Sequence, residues 1–109
     1  MAENSDELIL VITTFPEAEK AKEAARHLVE QKLAACCTLL PGTSVYSWQQ
    51  KLCEDSETII LIKTRRELYA SLEKKLKEIH PYEVPEIIAL PVVAVSQSYS
   101  DWVKEVTAS

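Results

Sequence analysis

The segment from His80 to Glu86 carries the side chains best suited to chemistry in this chain. It reads His80-Pro81-Tyr82-Glu83-Val84-Pro85-Glu86 and combines an imidazole, a phenol and two carboxylates with two prolines. Each proline fixes its own φ and disfavours the α conformation of the residue before it, so His80 and Val84 are predicted to be non-helical. A stiff backbone under polar side chains suits a preorganised site. The alternative is a tight connector between a helix and a strand, with solvated side chains.

A histidine beside carboxylates can ligate a transition-metal ion, and His80, Glu83 and Glu86 form such a set. The set is incomplete, so further ligands, such as those of a neighbouring subunit, would be needed. The other histidine, His27, lies among charged residues of a predicted helix, where a solvated side chain is the favoured interpretation.

The three cysteines predict no metal centre of the structural zinc type. Cys36 and Cys37 are adjacent on a predicted strand, so their thiols point to opposite faces, and Cys53 is predicted to lie in a turn. C-x-x-C spacing is absent. Small buried hydrophobic side chains are the favoured interpretation for Cys36 and Cys37, and a soft-metal thiolate is the alternative. The odd count argues against a disulfide framework and favours reduced thiols in the cytoplasm.

Composition excludes several classes of protein. The chain has 109 residues, which indicates one domain over residues 1–109, with the acidic residues 1–7 as a flexible N-terminus. The net charge of −5 argues against a nucleic-acid partner. A single glycine, Gly42, excludes Rossmann and P-loop phosphate sites. The sequence also shows no signal peptide and no apolar run that could span a membrane.

Enzyme motifs such as G-x-S-x-G and H-E-x-x-H are missing from the sequence, and no catalytic residues are predicted. A cluster of Lys63, His80 and Glu86 with acid–base activity is conceivable but rests on no spacing rule. Lys63 is either a solvated lysine at a strand end or a hook for an anion. Trp48 and Trp102 are best interpreted as packing residues.

The apolar periodicity predicts an α+β fold. The predicted elements are a strand at 8–14, a helix from Pro16 to about Lys32, a strand at 34–50 interrupted by a bulge or bend at Pro41-Gly42, a turn at 51–55, a strand at 57–64, a helix at 66–79, a strand at 86–90, a short extra strand at 92–95 and a C-terminal helix at 96–106. The order β-α-β-β-α-β is that of the ferredoxin-like sandwich.

Self-association follows from this arrangement. The first and third strands are apolar on both faces, whereas the two helices of such a sandwich cover one face only. The second strand is also longer than a small sheet can pair, and its overhang contains Tyr46 and Trp48. An unpaired edge of this kind invites pairing with another chain, so we expect more than one subunit.

Several short motifs together resemble one family. They are Leu33-Ala34-Ala35-Cys36, Pro41-Gly42, Tyr46-Ser47-Trp48, Ile62-Lys63-Thr64, His80-Pro81-Tyr82 and Val84-Pro85-Glu86. In this order, and from about Leu8 to Trp102, the chain resembles the CutA divalent-cation-tolerance proteins. The resemblance implies a ferredoxin-like homotrimer, similar in plan to the PII signal-transduction proteins. It also implies a cytoplasmic role in tolerance of copper and other divalent cations, with copper(II) or another divalent cation bound and no organic cofactor.

The chain departs from the family at the copper ligands proposed for one bacterial member. Those ligands are a cysteine of the first strand and two adjacent histidines before Pro-Tyr, but Thr13 and Ile79 stand here at the cysteine and the first histidine, and only His80 matches. Three hypotheses remain. The trimer binds a divalent cation at an inter-subunit cleft containing His80 and Glu86, or it is a PII-like signalling module whose cleft binds a small anionic ligand through Lys63, or it is a stable scaffold for protein partners. The predicted cleft residues are Lys63, Tyr82, Trp48 and Cys36.

Overall fold

The computed structural model describes residues 7–108. Its elements are β1 (Leu8–Phe15), α1 (Ala18–Glu30), β2 (Cys36–Trp48), β3 (Lys51–Arg65), a short 3-10 helix (Arg66–Leu68), α2 (Tyr69–Ile79), β4 (Ile88–Pro91) and α3 (Gln97–Val106). The strands form one antiparallel sheet in the order β2-β3-β1-β4. This is the predicted ferredoxin-like α+β order. Of the predicted flexible N-terminus only Glu7 lies within the described residues, and its carbonyl accepts a hydrogen bond from the Arg66 backbone N–H at 2.7 Å.

The main core lies between the sheet and helices α1 and α2. Alternate residues of β1 face the helices, because successive strand side chains point to opposite faces. The helices contribute apolar residues at three- and four-residue spacing. The core consists of Ile9, Val11, Phe15, Ala21, Ala24, Leu28, Ala34, Ile60, Ile62, Leu72 and Leu76. Phe15 ends β1 and His80 directly follows α2, and the centroids of their rings lie 4.2 Å apart. His80 begins residues 80–86, here called the proline segment.

The hairpin of β2 and β3 corrects one prediction. The strands pair residue by residue from Cys36 opposite Lys63 to Trp48 opposite Lys51, and the register runs unbroken through Pro41 and Gly42. The predicted bulge or bend at that position is therefore wrong. Strand β2 lies at the edge of the sheet, where a proline can point its missing N–H away from the neighbouring strand without losing a ladder hydrogen bond.

The chain reversal also lies earlier than predicted. Gln49 and Gln50 have φ angles of 52° and 68°, so the turn is at these residues and not at 51–55. Two-residue hairpin turns need such positive φ angles, which Asn-Gly or Asp-Gly normally signal. Gln-Gln carries no such signal, which is why the sequence did not indicate the turn. As a consequence Cys53, predicted to be in the turn, lies on β3 opposite Tyr46.

The distal part of the hairpin extends beyond the rest of the sheet. Strand β1 pairs with β3 only from Thr58 to Arg65, so residues 42–57 form a two-stranded ribbon, here called the arm. The described Cα atoms extend over 46 × 27 × 22 Å, which fits an elongated subunit. The arm exposes Val45, Tyr46, Trp48 and Leu52. An isolated ribbon of two strands is marginally stable in water, so these exposed side chains make the arm a candidate surface for association.

The extra strand predicted at 92–95 is absent from the described residues. The N–H of Val92 still donates to the carbonyl of Leu8 at 3.2 Å, but Leu8 is the first residue of β1. The chain beyond Val92 therefore has no strand left to pair with. Helix α3 follows as predicted, with the Ser96 hydroxyl accepting from the Tyr99 backbone N–H at 3.3 Å as its N-cap.

Helix α3 covers only one end of the second sheet face. Val103 packs there with Leu8 and Ala35 in a small separate core. The rest of this face, here called the open face, carries apolar side chains that are half-buried or exposed: Leu10, Ile12, Leu40, Ile59, Leu61, Ile88 and Leu90. As the sequence pattern predicts, α1 and α2 leave these residues uncovered.

The cysteine geometry leads to a test in solution. All three cysteines are free, and Cys36 and Cys37 face opposite sides of β2. Burial, with a smaller contribution from Cys36, raises the pKa of Cys37 to about 12, so its thiolate is scarce at neutral pH. We expect a thiol reagent to titrate three thiols in the unfolded, non-reduced chain and to react most slowly with Cys37 in the folded protein. A count of one thiol would reveal a disulfide and contradict this prediction.

Candidate functional site

A cavity of about 640 Å³ lies where the arm meets the proline segment. Three groups of residues line it: the carboxylates Glu57, Glu83 and Glu86; the hydroxyls of Thr14, Ser44, Tyr46 and Tyr82; and the apolar side chains of Val45, Trp48, Pro81 and Val84. We call it the carboxylate cavity. No Lys, Arg or His is among the described residues that line it. Its electrostatic character therefore favours positive charge.

Glu57 is the most buried carboxylate of the cavity, with 8% of its surface exposed. It lies on β3 opposite Gly42, so it points to the same face as the open-face residues. Ser44 Oγ donates to one carboxylate oxygen at 2.5 Å, and the Tyr82 hydroxyl donates to the other at 2.6 Å. Both oxygens are therefore held by O–H donors, one from β2 and one from the proline segment, as burial of a carboxylate requires.

Two phenols stand next to carboxylates at this site. Burial raises the pKa of Tyr82, and the hydrogen bond to Glu57 and the charge of Glu57 raise it further. On the arm, Tyr46 donates a hydrogen bond to Asp55, and this bond is the main reason that the pKa of Tyr46 is raised to about 12. Both phenols therefore remain protonated hydrogen-bond donors at neutral pH.

His80 lies behind Tyr82 and not in the cavity. The residue is 9% exposed, and its ring lies 4.2 Å from the ring of Phe15 and 5.0 Å from that of Tyr82, measured between centroids. Its Nε2 is 2.7 Å from the Thr14 carbonyl oxygen, and its Nδ1 accepts from the Tyr82 backbone N–H at 3.1 Å. Burial lowers the pKa of His80, while the Thr14 hydrogen bond and the Glu57 charge oppose this shift.

The predicted metal ligands are thus divided by the fold. Glu83 and Glu86 line the carboxylate cavity, but both ring nitrogens of His80 are already hydrogen-bonded. Within residues 7–108 no three His, Cys, Asp or Glu side chains converge closely enough to hold a metal ion. The set of His80, Glu83 and Glu86 stays a prediction, and ligation by His80 would require one of its hydrogen bonds to break.

The predicted cleft residues are divided in the same way. Tyr82 and Trp48 line the cavity, whereas Lys63 and Cys36 lie opposite each other at the far end of the hairpin. Lys63 lies six positions along β3 from Glu57, which is about 20 Å at roughly 3.3 Å per residue. Lys63 Nζ donates instead to Thr38 Oγ1 at 2.6 Å. The hypothesis of an anionic ligand held by Lys63 stays a prediction without support from this cavity.

Sequence analysis missed Glu57 and Ser44 as site residues. The sequence contained one signal for Glu57. Glu57 lies an even number of positions from Lys63 on one strand, so both side chains are on the same face of the sheet. The pairing of Ser44 with Glu57 depends on the register of the hairpin, which the Gln49-Gln50 turn sets.

A helix that spans a membrane must have sufficient length and hydropathy. None of the described helices is long and apolar enough to cross a membrane.

Comparison with known proteins points to one family. The family model of the CutA1 divalent ion tolerance protein matches residues 9–106. A divalent-cation tolerance protein CutA from Thermus thermophilus is 43% identical over 99 residues, which cover 90% of this chain and 96% of the relative. A protein CutA from Homo sapiens is 47% identical over 97 residues, which cover 88% of this chain and 54% of the relative, so this chain spans about half the length of the human protein.

A solved structure agrees with the fold. The periplasmic divalent cation tolerance protein CutA from Archaeoglobus fulgidus superposes with a TM-score of 0.91 at 32% identity, over 93% of this chain and 99% of that chain. Because that relative is called periplasmic, the cytoplasmic location of this chain stays a prediction. The family model covers all four strands almost completely, and the Archaeoglobus fulgidus structure has the same fold. This chain belongs to the CutA1 divalent ion tolerance family.

Proposed function

We propose that this protein is a homotrimeric divalent-cation-tolerance protein that binds a divalent cation at the carboxylate cavity. The observation that carries the proposal is the charge of the cavity: Glu57, Glu83 and Glu86 line it, and its described lining includes no cationic side chain. Carboxylate, hydroxyl and water oxygens are the ligands that hard divalent cations prefer. The family name, divalent ion tolerance protein, supports this class of ligand.

The donors of the cavity favour an ion bound through oxygen. The resemblance to the family implies copper, which binds well to imidazole and thiolate ligands. In this chain the nitrogens of His80 are engaged in hydrogen bonds, and the raised pKa of Cys37 disfavours its thiolate. Copper(II) would therefore bind here through carboxylates, as manganese(II) or calcium would.

A second copy of the chain completes the site in this proposal. One protomer does not bring three ligating side chains together within the described residues, and the cavity lies beside the arm, whose exposed side chains include Tyr46 and Trp48. The apolar open face and the unpaired outer edges of β2 and β4 offer surfaces for association. These features support an oligomer with closed symmetry, and the family resemblance supplies the number three.

Titration calorimetry of the full chain with manganese(II), zinc and copper(II) tests the cation site. Because each carboxylate supplies oxygen ligands, we expect Glu86→Gln and Glu83→Gln to weaken binding by at least about tenfold. Glu19→Gln is the matched control, since Glu19 is exposed on α1 away from the cavity. Equal losses in all three variants would place the ion elsewhere. Flat traces for every cation would overturn the proposal and favour the scaffold hypothesis.

A further inference from the structure

We propose that His80 positions the carboxylate cavity and does not ligate the cation. In this role its neutral imidazole, protonated at Nε2, fixes the backbone of Tyr82, and Tyr82 in turn fixes the carboxylate of Glu57. The inference rests on the proposed function only in taking the carboxylate cavity as the binding site. The family resemblance marks His80 as a metal ligand, whereas here His80 has a positioning role.

The first contact determines where the proton lies. His80 Nε2 is 2.7 Å from the Thr14 carbonyl oxygen, and a carbonyl oxygen can only accept a hydrogen bond. Nε2 therefore carries the hydrogen. This bond ties the start of the proline segment to the end of β1, and the rings of Phe15 and Tyr82 hold the imidazole from its sides.

The second contact determines what the other nitrogen does. The backbone N–H of Tyr82 can only donate, and it lies 3.1 Å from Nδ1, so Nδ1 is unprotonated and acts as the acceptor. Pro81 between the two residues has no N–H of its own, so Tyr82 provides the first N–H that follows His80. The imidazole thus closes a short, rigid turn and directs the Tyr82 side chain.

The third contact transmits this position to the cavity. The Tyr82 hydroxyl donates to one oxygen of Glu57 at 2.6 Å, while Ser44 donates to the other at 2.5 Å. Two donors from different elements set the plane of the carboxylate. The Ser44 bond comes from the hairpin and does not depend on His80, so His80 controls one of the two constraints on Glu57.

The positioning role and a ligand role exclude each other at either nitrogen. A metal ion at Nδ1 would displace the Tyr82 N–H, and a metal ion at Nε2 would replace the hydrogen that the Thr14 carbonyl accepts. The first change would leave a partly buried N–H, and the second a buried carbonyl, without this partner, which is unfavourable. The geometry therefore supports the positioning role for the residue as the fold holds it.

Nitrogen NMR of the imidazole tests the inference without reference to cation binding. In the metal-free full chain we expect the His80 resonances of the Nε2–H tautomer and a coupling across the hydrogen bond from the Tyr82 N–H to Nδ1. Zinc, which is diamagnetic, should leave both nitrogens unshifted. An Nδ1–H tautomer, or a zinc-induced shift of either nitrogen to metal-bound values, would overturn the inference, whereas absence of binding for every cation tested would overturn only the proposed function.

Variants separate positioning from ligation. The side-chain oxygen of asparagine can replace Nδ1 as acceptor, so His80→Asn should keep manganese(II) affinity within about twofold, whereas His80→Leu and Tyr82→Phe should each lower it by about tenfold. The double variant His80→Leu/Tyr82→Phe should lose no more than either single variant, because both act through one path. Equal losses in His80→Asn and His80→Leu, or additive losses in the double variant, would contradict positioning through Tyr82. If His80→Leu fails to fold, the His80→Asn comparison and the NMR spectrum decide.

Discussion

Replacing Leu40 by lysine is expected to dissociate the proposed trimer into monomers. Leu40 lies on the open face opposite Ile59 and has 39% of its surface exposed in a single subunit. If a neighbouring subunit covers this face, the lysine ammonium would have to leave water without a partner, which costs several kcal/mol. Sedimentation equilibrium should report three times the 12.3 kDa chain mass for the unchanged chain and the mass of one chain for Leu40→Lys at micromolar concentration.

Val29→Lys is the matched control for this experiment. Val29 is 41% exposed, nearly the same as Leu40, but it lies near the end of α1 on the helical side of the sheet. A lysine near the C-terminal end of a helix is also electrostatically favourable, so the fold should tolerate it. Val29→Lys should therefore keep the trimer mass. A monomeric unchanged chain would refute the trimer, and a trimeric Leu40→Lys variant would place the interface away from the open face.

Acid is expected to weaken the fold through His80. Burial lowers the pKa of His80 below its ordinary value of 6.5, so the unfolded chain binds a proton more readily than the folded one. The contribution of His80 to stability is therefore complete above about pH 6.5 and is lost as the pH falls from 6.5 toward the folded-state pKa. In that window one such group changes the free energy of unfolding by at most about 1.4 kcal/mol per pH unit.

Denaturant unfolding between pH 7 and pH 5 measures this slope, at one fixed protomer concentration because unfolding of an oligomer depends on concentration. His80→Asn removes the titrating group and keeps the acceptor for Tyr82, so the slope should flatten. His27→Asn provides the comparison, since His27 is partly exposed on α1, and it should keep the slope of the unchanged chain. A slope that survives in His80→Asn but disappears in His27→Asn would contradict the prediction, because it would show that His27 causes the acid sensitivity.

The order of elements and the uncovered apolar face could be predicted from the sequence alone. Residues 8–14 and 57–64 are apolar on both faces, and Leu72 and Leu76 repeat at helical spacing, so local periodicity was sufficient to indicate a sheet with helices on one side. The prolines and polar groups of residues 80–86 likewise marked this segment as the place for chemistry. Such features depend on residues that are close in sequence. Propensity and periodicity carry information over that range.

The register of the hairpin and the contacts of each residue in the site depend on the tertiary structure. Gln49 and Gln50 adopt positive φ angles that their residue types do not signal, and the resulting register brings Ser44 to Glu57. His80 meets the carbonyl of Thr14, 66 positions away, and Tyr82 meets Glu57, 25 positions away. Contacts of this kind depend on how β1, the hairpin and the proline segment pack together. For that reason the sequence could mark His80 as a functional residue, but only the packed fold shows that its two nitrogens hold the backbone.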